Sequence, residues 1–230
     1  MIFIDSNEKD LTFLNNKKVI GVDESGVGDY FGPLCAAAVY IPLQNRNKVL
    51  ELGVKDSKKL TDKKILEIAP ILKQLVHFST NLLYPKGFNS LVKNNYNSNA
   101  LKMFVHLKTI NTLEAKVKDY DFVVIDQYST QKSIEGYYSL MFNKNWANFT
   151  EVQKNIILIK KAEDKCLEVA AASILARELF LLKMQEMNQK YNVVFPFGAS
   201  EKVKQFANTF FENKTEEMEN VCKMIFDMNK

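Results

Sequence analysis

The stretch from Lys18 to Tyr40, KVIGVDESGVGDYFGPLCAAAVY, constrains the fold of this chain more than any other. A short apolar run, Val19–Val22, ends on two adjacent carboxylates, Asp23 and Glu24. SGVGDYFGP follows, and a second apolar run, Leu34–Ile41, closes the stretch. Apolar runs punctuated by glycine and proline predict two strands joined by a turn. An unpaired charge at the end of a buried strand costs free energy, and a bound divalent cation would offset that cost. Taken alone, the acid pair is more simply a capping or turn feature on a solvated loop, because charge belongs on surfaces. The glycine loop and the rest of the chain shift that balance.

At 230 residues the chain has room for one or two domains. An apolar content of 47% supports an ordinary folded core. The net charge of +4 permits a polyanionic partner without demanding one. Basic residues are nearly all lysine, with Arg46 and Arg177 the only arginines. Cys35, Cys166 and Cys222 are odd in number and far apart, which fits neither a disulfide framework nor a zinc site. They suit a reducing, cytoplasmic compartment. No apolar run approaches membrane-spanning length, so no membrane partner is expected. The opening MIFIDSNEKD carries early acids and no signal-like apolar core. Residues 1–17 read as an arm that packs on the body or frays, and 18–230 as one body. A monomer is expected.

Hydrophobic periodicity predicts strands at Val19–Asp23, Leu34–Ile41, Leu75–Leu83, Phe122–Asp126 and Ile156–Ile159. Helices are predicted over Asn45–Leu52, from Thr61 as cap to Gln74, over Asn99–Val117, and from Asp164 to about Tyr191. Two more are expected after the break at Phe195–Gly198, at Ser200–Phe211 and Thr215–Met228. Early strands with short connections, followed by strands alternating with helices, make an α/β or α+β layer.

Acids recur where buried strands end: Asp23 after VIGV, Asp126 after FVVI, and Glu163 and Asp164 after IILIKK. Each alone has a plain explanation, such as Asp164 against a helix dipole. If the three clusters converge at one sheet edge, their repulsion raises pKa values unless cations neutralise them. An oxygen-only set suits magnesium or manganese rather than zinc. Of the two histidines, His77 lies in a strand, and His106 reads as a core or flank residue of a helix rather than a ligand. Neighbouring strand residues point to opposite faces, so Asp23 and Glu24 can reach one ion only if the strand ends or bulges there. Gly26 and Gly28 allow that, and also allow close approach of backbone amides to a sugar or phosphate. In VKDSKKL, Lys55, Lys58 and Lys59 are candidates for phosphate contacts, although a lysine loop is usually a solvated surface. The alanines of VAAASILA read as close helix packing.

GVDESGVGDYFGP, VKDSKKL, VVIDQY and KAEDKCLEVAAASILAR, in this order and spacing, resemble the type 2 ribonucleases H. Within them the chain resembles ribonuclease HIII through DYFGP, the DQY at Asp126 and the glutamate at 163. The resemblance covers about Lys18 to Phe211. It implies a ribonuclease H-like α/β fold: a mixed five-stranded sheet flanked by helices, here with extra C-terminal helices. It implies endonucleolytic cleavage of RNA in RNA–DNA hybrids, leaving 5′-phosphate and 3′-hydroxyl ends. The implied metal-binding and catalytic carboxylates are Asp23, Glu24, Asp126 and Glu163, holding two Mg2+ or Mn2+ ions in the substrate complex. Gly26, Val27 and Gly28 match the element that senses the ribose 2′-hydroxyl, and Ser57 and Lys58 match residues near the bound backbone. Val27 stands where the family usually has lysine or arginine. Only 17 residues precede the first strand expected here, where ribonucleases HIII usually carry a further substrate-binding domain.

By this resemblance the mechanism is an in-line displacement at phosphorus without a histidine base. RNA is told from DNA by its 2′-hydroxyl. Two alternatives remain: ribonuclease HII-like incision at single ribonucleotides in DNA, and a catalytically silent hybrid-binding protein. The full acid set disfavours silence, since binding alone would favour lysines over carboxylates that repel phosphate.

Overall fold

A computed structural model of the chain describes residues 2–6, 11–14, 17–54, 59–143, 145–212 and 217–226. The Lys18–Tyr40 stretch forms a hairpin of β2 (Val19–Ser25) and β3 (Leu34–Tyr40), antiparallel from Ile20 opposite Tyr40 to Ser25 opposite Cys35. β4 (His77–Leu83) adds antiparallel to β3. On the other side of β2, β5 (Phe122–Asp126) and β6 (Asn155–Ile159) run parallel to it and to each other. Beyond β6 lies β1 (Phe3–Asp5), also parallel. The sheet therefore has six strands in the order β1-β6-β5-β2-β3-β4, not the five expected. The sixth comes from the N-terminal arm, where three residues are too few to show a period.

Helices cover both faces, as buried parallel strands require. On one face lie α3 (Pro85–Lys93), α4 (Ser98–Glu114) and α5 (Gln131–Asn143). Their core joins Ile20, Val22, Val123, Ile125 and Ile156 to Met103, Leu107 and Ile134. On the other face lie α1 (Arg46–Glu51), α2 (Asp62–Leu75) and α6 (Leu167–Tyr191). There Val19, Val124, Ile157 and Ile159 pack with Val169, and Ala37 and Val39 pack with Ala170, Ala171 and Ile174. Each fully buried valine or isoleucine in these layers contributes about 1.5–3 kcal/mol. Thr61 caps α2, its hydroxyl accepting from the Lys64 amide at 3.3 Å.

The alanines of α6 and Gly21 of β2 act together. A Cβ on Gly21 would stand 2.3 Å from the backbone of Glu168 and Val169, so β2 and α6 meet backbone to backbone. The helix does not start at Asp164. A 3-10 turn, Ala162–Asp164, follows Lys161, whose φ is +54°, and α6 begins at Leu167 with Cys166 as its cap. The first-turn acid is Glu168, buried and paired with Arg46. α7 (Glu201–Phe211) lies within one residue of expectation. Of the last expected helix, Thr215–Met228, the described residues 217–226 form α8 (Met218–Val221), after which Cys222 forms an antiparallel bridge with Phe31. Among the described residues, no helix is long and apolar enough to cross a membrane.

Candidate active site

The register of the parallel strands builds the site. Val22 pairs with Ile125, and Ile125 with Leu158, so Asp23 and Asp126 are each the next residue along adjacent parallel strands. With period 2, both side chains lie on the α6 face, in step with Gly21 and Val124. Asp126 also holds the third acid in place: its Oδ1 accepts from the Ala162 amide at 3.0 Å, and Ala162 opens the 3-10 turn that carries Glu163. Asp164 is exposed on the same turn. A cleft of about 290 Å³ is lined by Asp23, Glu24, Glu163, Asp62, Ser173 and Arg177, among others.

The electrostatics are those of like charges in a half-buried edge. Burial pushes the Asp23 carboxyl well above its ordinary range, and the charges of Glu24, Glu163 and Asp126 push the same way. The Glu24 amide, donating to Asp23 Oδ1 at 2.8 Å, opposes this only in part. Asp126 is also raised, by burial first and then by Glu163 and Glu24, against the Ala162 hydrogen bond.

Glu24 differs. β2 does not end or bulge at the acid pair, because its ladder with β3 continues through Glu24 opposite Ala36 to Ser25 opposite Cys35. The expected break is therefore absent, and Glu24 falls on the α4 face, where the helix brings two partners. Lys102 Nζ lies 2.7 Å from Oε1, and His106 Nε2 lies 2.7 Å from Oε2. A carboxylate only accepts, so Nε2 carries the proton. Burial alone would raise the Glu24 carboxyl, but the hydrogen bond and charge of His106, with Lys102, hold it at about 2. His106 is thus a core histidine, as its helical setting predicted, and also a partner of a site carboxylate. Lys102 lies 4.9 Å from the Tyr128 ring centroid.

Sequence reasoning missed Lys102 and the Asp62–Arg177 pair. Arg177 donates to both oxygens of Asp62 at 2.9 Å, and its guanidinium stacks 5.2 Å from Phe180 and 5.0 Å from Phe197. No local pattern joins positions 115 residues apart. Gly26 has φ +91°, and a Cβ there would stand 2.4 Å from the Pro33 carbonyl. Gly28 is exposed with open space beside it. Val27 packs against the apolar cluster of Leu34, Phe88 and Leu101. Ser57 and Lys58 lie outside the described residues, as does Lys55.

Among the described residues, no three His, Cys, Asp or Glu side chains form a ready-made metal chelate. The donor chemistry nevertheless fits a hard cation. Asp23 and Asp126 are oxygen donors on one face, both raised by burial and the neighbouring carboxylates, which is the state a divalent ion relieves. Glu24, already compensated by Lys102 and His106, would have to exchange those partners to join them.

A mixed, helix-flanked sheet with acids at the carboxyl ends of its parallel strands defines a ribonuclease H-like fold, and the comparisons with known proteins agree. The family model described as Ribonuclease HII matches residues 20–229, and the chain belongs to that family. Within it, the chain is similar to proteins named Ribonuclease HIII. That of Streptococcus gordonii (strain Challis) is 36% identical over 190 residues, covering 83% of this chain and 62% of the relative. That of Chlamydia muridarum is 37% identical over 209 residues, covering 90% of this chain and 66% of the relative. The crystal structure of Bst-RNase HIII in complex with Mn2+ superposes with a TM-score of 0.83 at 30% identity, covering 92% of this chain and 68% of that one. The chain thus spans about two thirds or less of the length of these curated relatives.

Proposed function

We propose that this chain is a metal-dependent endoribonuclease that hydrolyses the RNA strand of RNA–DNA hybrids, leaving 5′-phosphate and 3′-hydroxyl ends. The observation that carries the reading is the register placing Asp23 beside Asp126, with Asp126 tethering the turn that bears Glu163. Membership in the ribonuclease HII family and likeness to an RNase HIII crystallised with Mn2+ support it. In this reading residues 1–17 are an arm and 18–230 the catalytic body with its C-terminal extension.

Asp23, Asp126 and Glu163 would hold Mg2+ or Mn2+, two ions in the substrate complex, with Glu24 as the fourth carboxylate. When bound, such ions polarise the phosphoryl oxygens and lower the pKa of a coordinated water. The chain's own residues do the rest. Before it takes an ion, Glu24 is kept ionised by Lys102 and His106. Asp62 fixes the Arg177 guanidinium at the cleft wall, a planar donor suited to phosphate. The Gly26–Gly28 turn offers backbone to the ribose 2′-hydroxyl, the group that tells RNA from DNA. Val27 is turned into an apolar cluster and contributes no charge there. Ser57 and Lys58 remain candidates for backbone contacts. Buried free thiols at Cys35, Cys166 and Cys222 suit a cytoplasmic enzyme.

The test compares kcat/KM with Mg2+ on two matched duplexes at one salt concentration. One carries a continuous RNA strand and the other a single embedded ribonucleotide. Efficient cutting within the RNA run and little at the lone ribonucleotide is expected. Preference for the lone ribonucleotide would replace this reading with ribonuclease HII-like incision. Binding without cutting would make the chain a silent hybrid binder.

A further inference from the structure

The Asp29–Gly32 segment after the glycine turn anchors Phe31 among Phe195, Phe206 and Phe211, and its backbone is held on two sides. On one, the Gly198 amide donates to Asp29 Oδ1 at 2.6 Å and the Tyr30 amide to the Gly198 carbonyl at 2.9 Å. On the other lies the C-terminal segment after α8. The Gly32 amide donates to the Val221 carbonyl at 2.9 Å, and the Lys223 amide to the Tyr30 carbonyl at 2.8 Å. Asn89 of α3, itself buried, clamps that segment from behind. Its Nδ2 donates to the Cys222 carbonyl at 2.9 Å, and its Oδ1 accepts from the Met224 amide at 2.9 Å.

Lys223 is the centre of this arrangement. Its side chain is fully buried. The ammonium donates to the carbonyls of Asp29 at 2.6 Å, Gly32 at 2.7 Å and Phe31 at 3.4 Å. A lysine ammonium has three protons and no acceptor, so its donors all go to this one loop. Burying an ammonium is strongly unfavourable unless every proton is bonded, and a purely apolar plug would cover the sheet without that cost. Burial lowers the Lys223 pKa to about 8, with the Asp29 charge opposing.

The loop passes this order to the glycine turn. The Asp29 amide bonds the Gly26 carbonyl at 3.3 Å, and Gly26 sits at φ +91° against Pro33 and Phe180. Val27 and Ile225 pack against the same apolar cluster, so the turn and the C-terminal segment share a support.

We propose that Lys223 is a positioning residue of the reaction: its ammonium, delivered by the C-terminal segment, fixes the Asp29–Gly32 backbone and thereby sets the Gly26–Gly28 turn against the substrate's ribose. The proposal rests on the hybrid-cleaving function above. It gives the C-terminal segment a role beyond covering the sheet.

The experiment uses the full chain with Lys223→Met, which keeps the length and removes the donors. Asn89→Ala is the second variant, freeing the segment without touching the loop. Steady-state cleavage of a continuous hybrid with Mg2+ should show KM raised about tenfold and kcat within about twofold for Lys223→Met. Asn89→Ala should shift KM the same way, and the double variant should be no worse than Lys223→Met, because the two act as one unit. Amide exchange should show lost protection over residues 26–32 but not in β2 or β5. Unchanged KM, or lower kcat at constant KM, in the folded variants overturns the positioning role. Should Lys223→Met fail to fold, the KM of Asn89→Ala decides in the same way. A wild-type chain that leaves hybrids uncut overturns the hybrid-cleaving function and the positioning role with it. Wild-type cleavage with an unaffected KM in the variants overturns only the role of Lys223.

Discussion

Among the four carboxylates, the environment of each sets a different expectation for its removal. Asp23 and Asp126 carry raised pKa values, so their charges destabilise the fold at neutral pH in the absence of cations. Asp23→Asn or Asp126→Asn should reduce Mg2+-dependent cleavage about a hundredfold or more while leaving Tm unchanged or higher. Retained cleavage would remove that residue from the site. Glu24 is opposite in sign: its folded pKa, about 2, is below the ordinary glutamate value of 4.5. Its contribution to stability is therefore complete above pH 4.5 and lost as pH falls from 4.5 towards 2. His106→Ala breaks a buried pair and should cost about 3 kcal/mol at pH 7. In urea titrations that difference should shrink by pH 3. An equal cost at both pH values would show that packing, not charge, is what His106 supplies. Glu163 and Asp164 should separate as well. Glu163→Gln should impair cleavage severely, whereas the exposed Asp164 lies outside α6, and Asp164→Asn should stay within about 0.5 kcal/mol of wild type in stability. The reverse pattern would move the ligand by one position.

At the scale of elements, the contact of β2 with α6 is the joint that sets the depth of the site. Gly21→Ala places a methyl 2.3 Å from the α6 backbone, where neither element has a flexible side chain to yield. It should destabilise by about 1–3 kcal/mol in urea unfolding and weaken cleavage by moving Asp23. An unaffected midpoint would mean the helix retreats freely. Two elements with sequence signals were not predicted. Pro85 stands at the first position of α3, a favoured start. Ile134, Tyr138 and Met141 mark the buried face of α5 at helical spacing. Among the described residues of the C-terminal region, the helix stops at Val221 and a bridge follows, because Cys222 and Lys223 find backbone partners on the Asp29–Gly32 loop. Tertiary contacts outweighed helix propensity there.

For the whole molecule, repulsion among the acids predicts linkage between cation and stability. Mn2+ at about 100 times its dissociation constant should add about 2.7 kcal/mol to unfolding free energy, read as a higher Tm that chelation reverses. Asp23→Asn should abolish most of that gain. A Tm indifferent to Mn2+ in the wild-type chain would argue against an ion among these carboxylates, independently of any activity assay.

Acids after apolar runs, the glycine turn and the helix-packing alanines were legible in the sequence, because each is a local pattern governed by strand alternation or backbone sterics. Alternation even required Asp23 and Glu24 to face apart. How the molecule accommodates that was decided only by the tertiary structure. The strand runs straight on, and α4, 82 residues away at His106, brings the Lys102 ammonium and the His106 imidazole to Glu24 on the far face. The same holds for Lys223, whose carbonyl partner Gly32 lies 191 residues earlier. A buried charge needs specific partners, and the sequence shows that the charge exists. Which partners reach it is set by how sheet and helices pack.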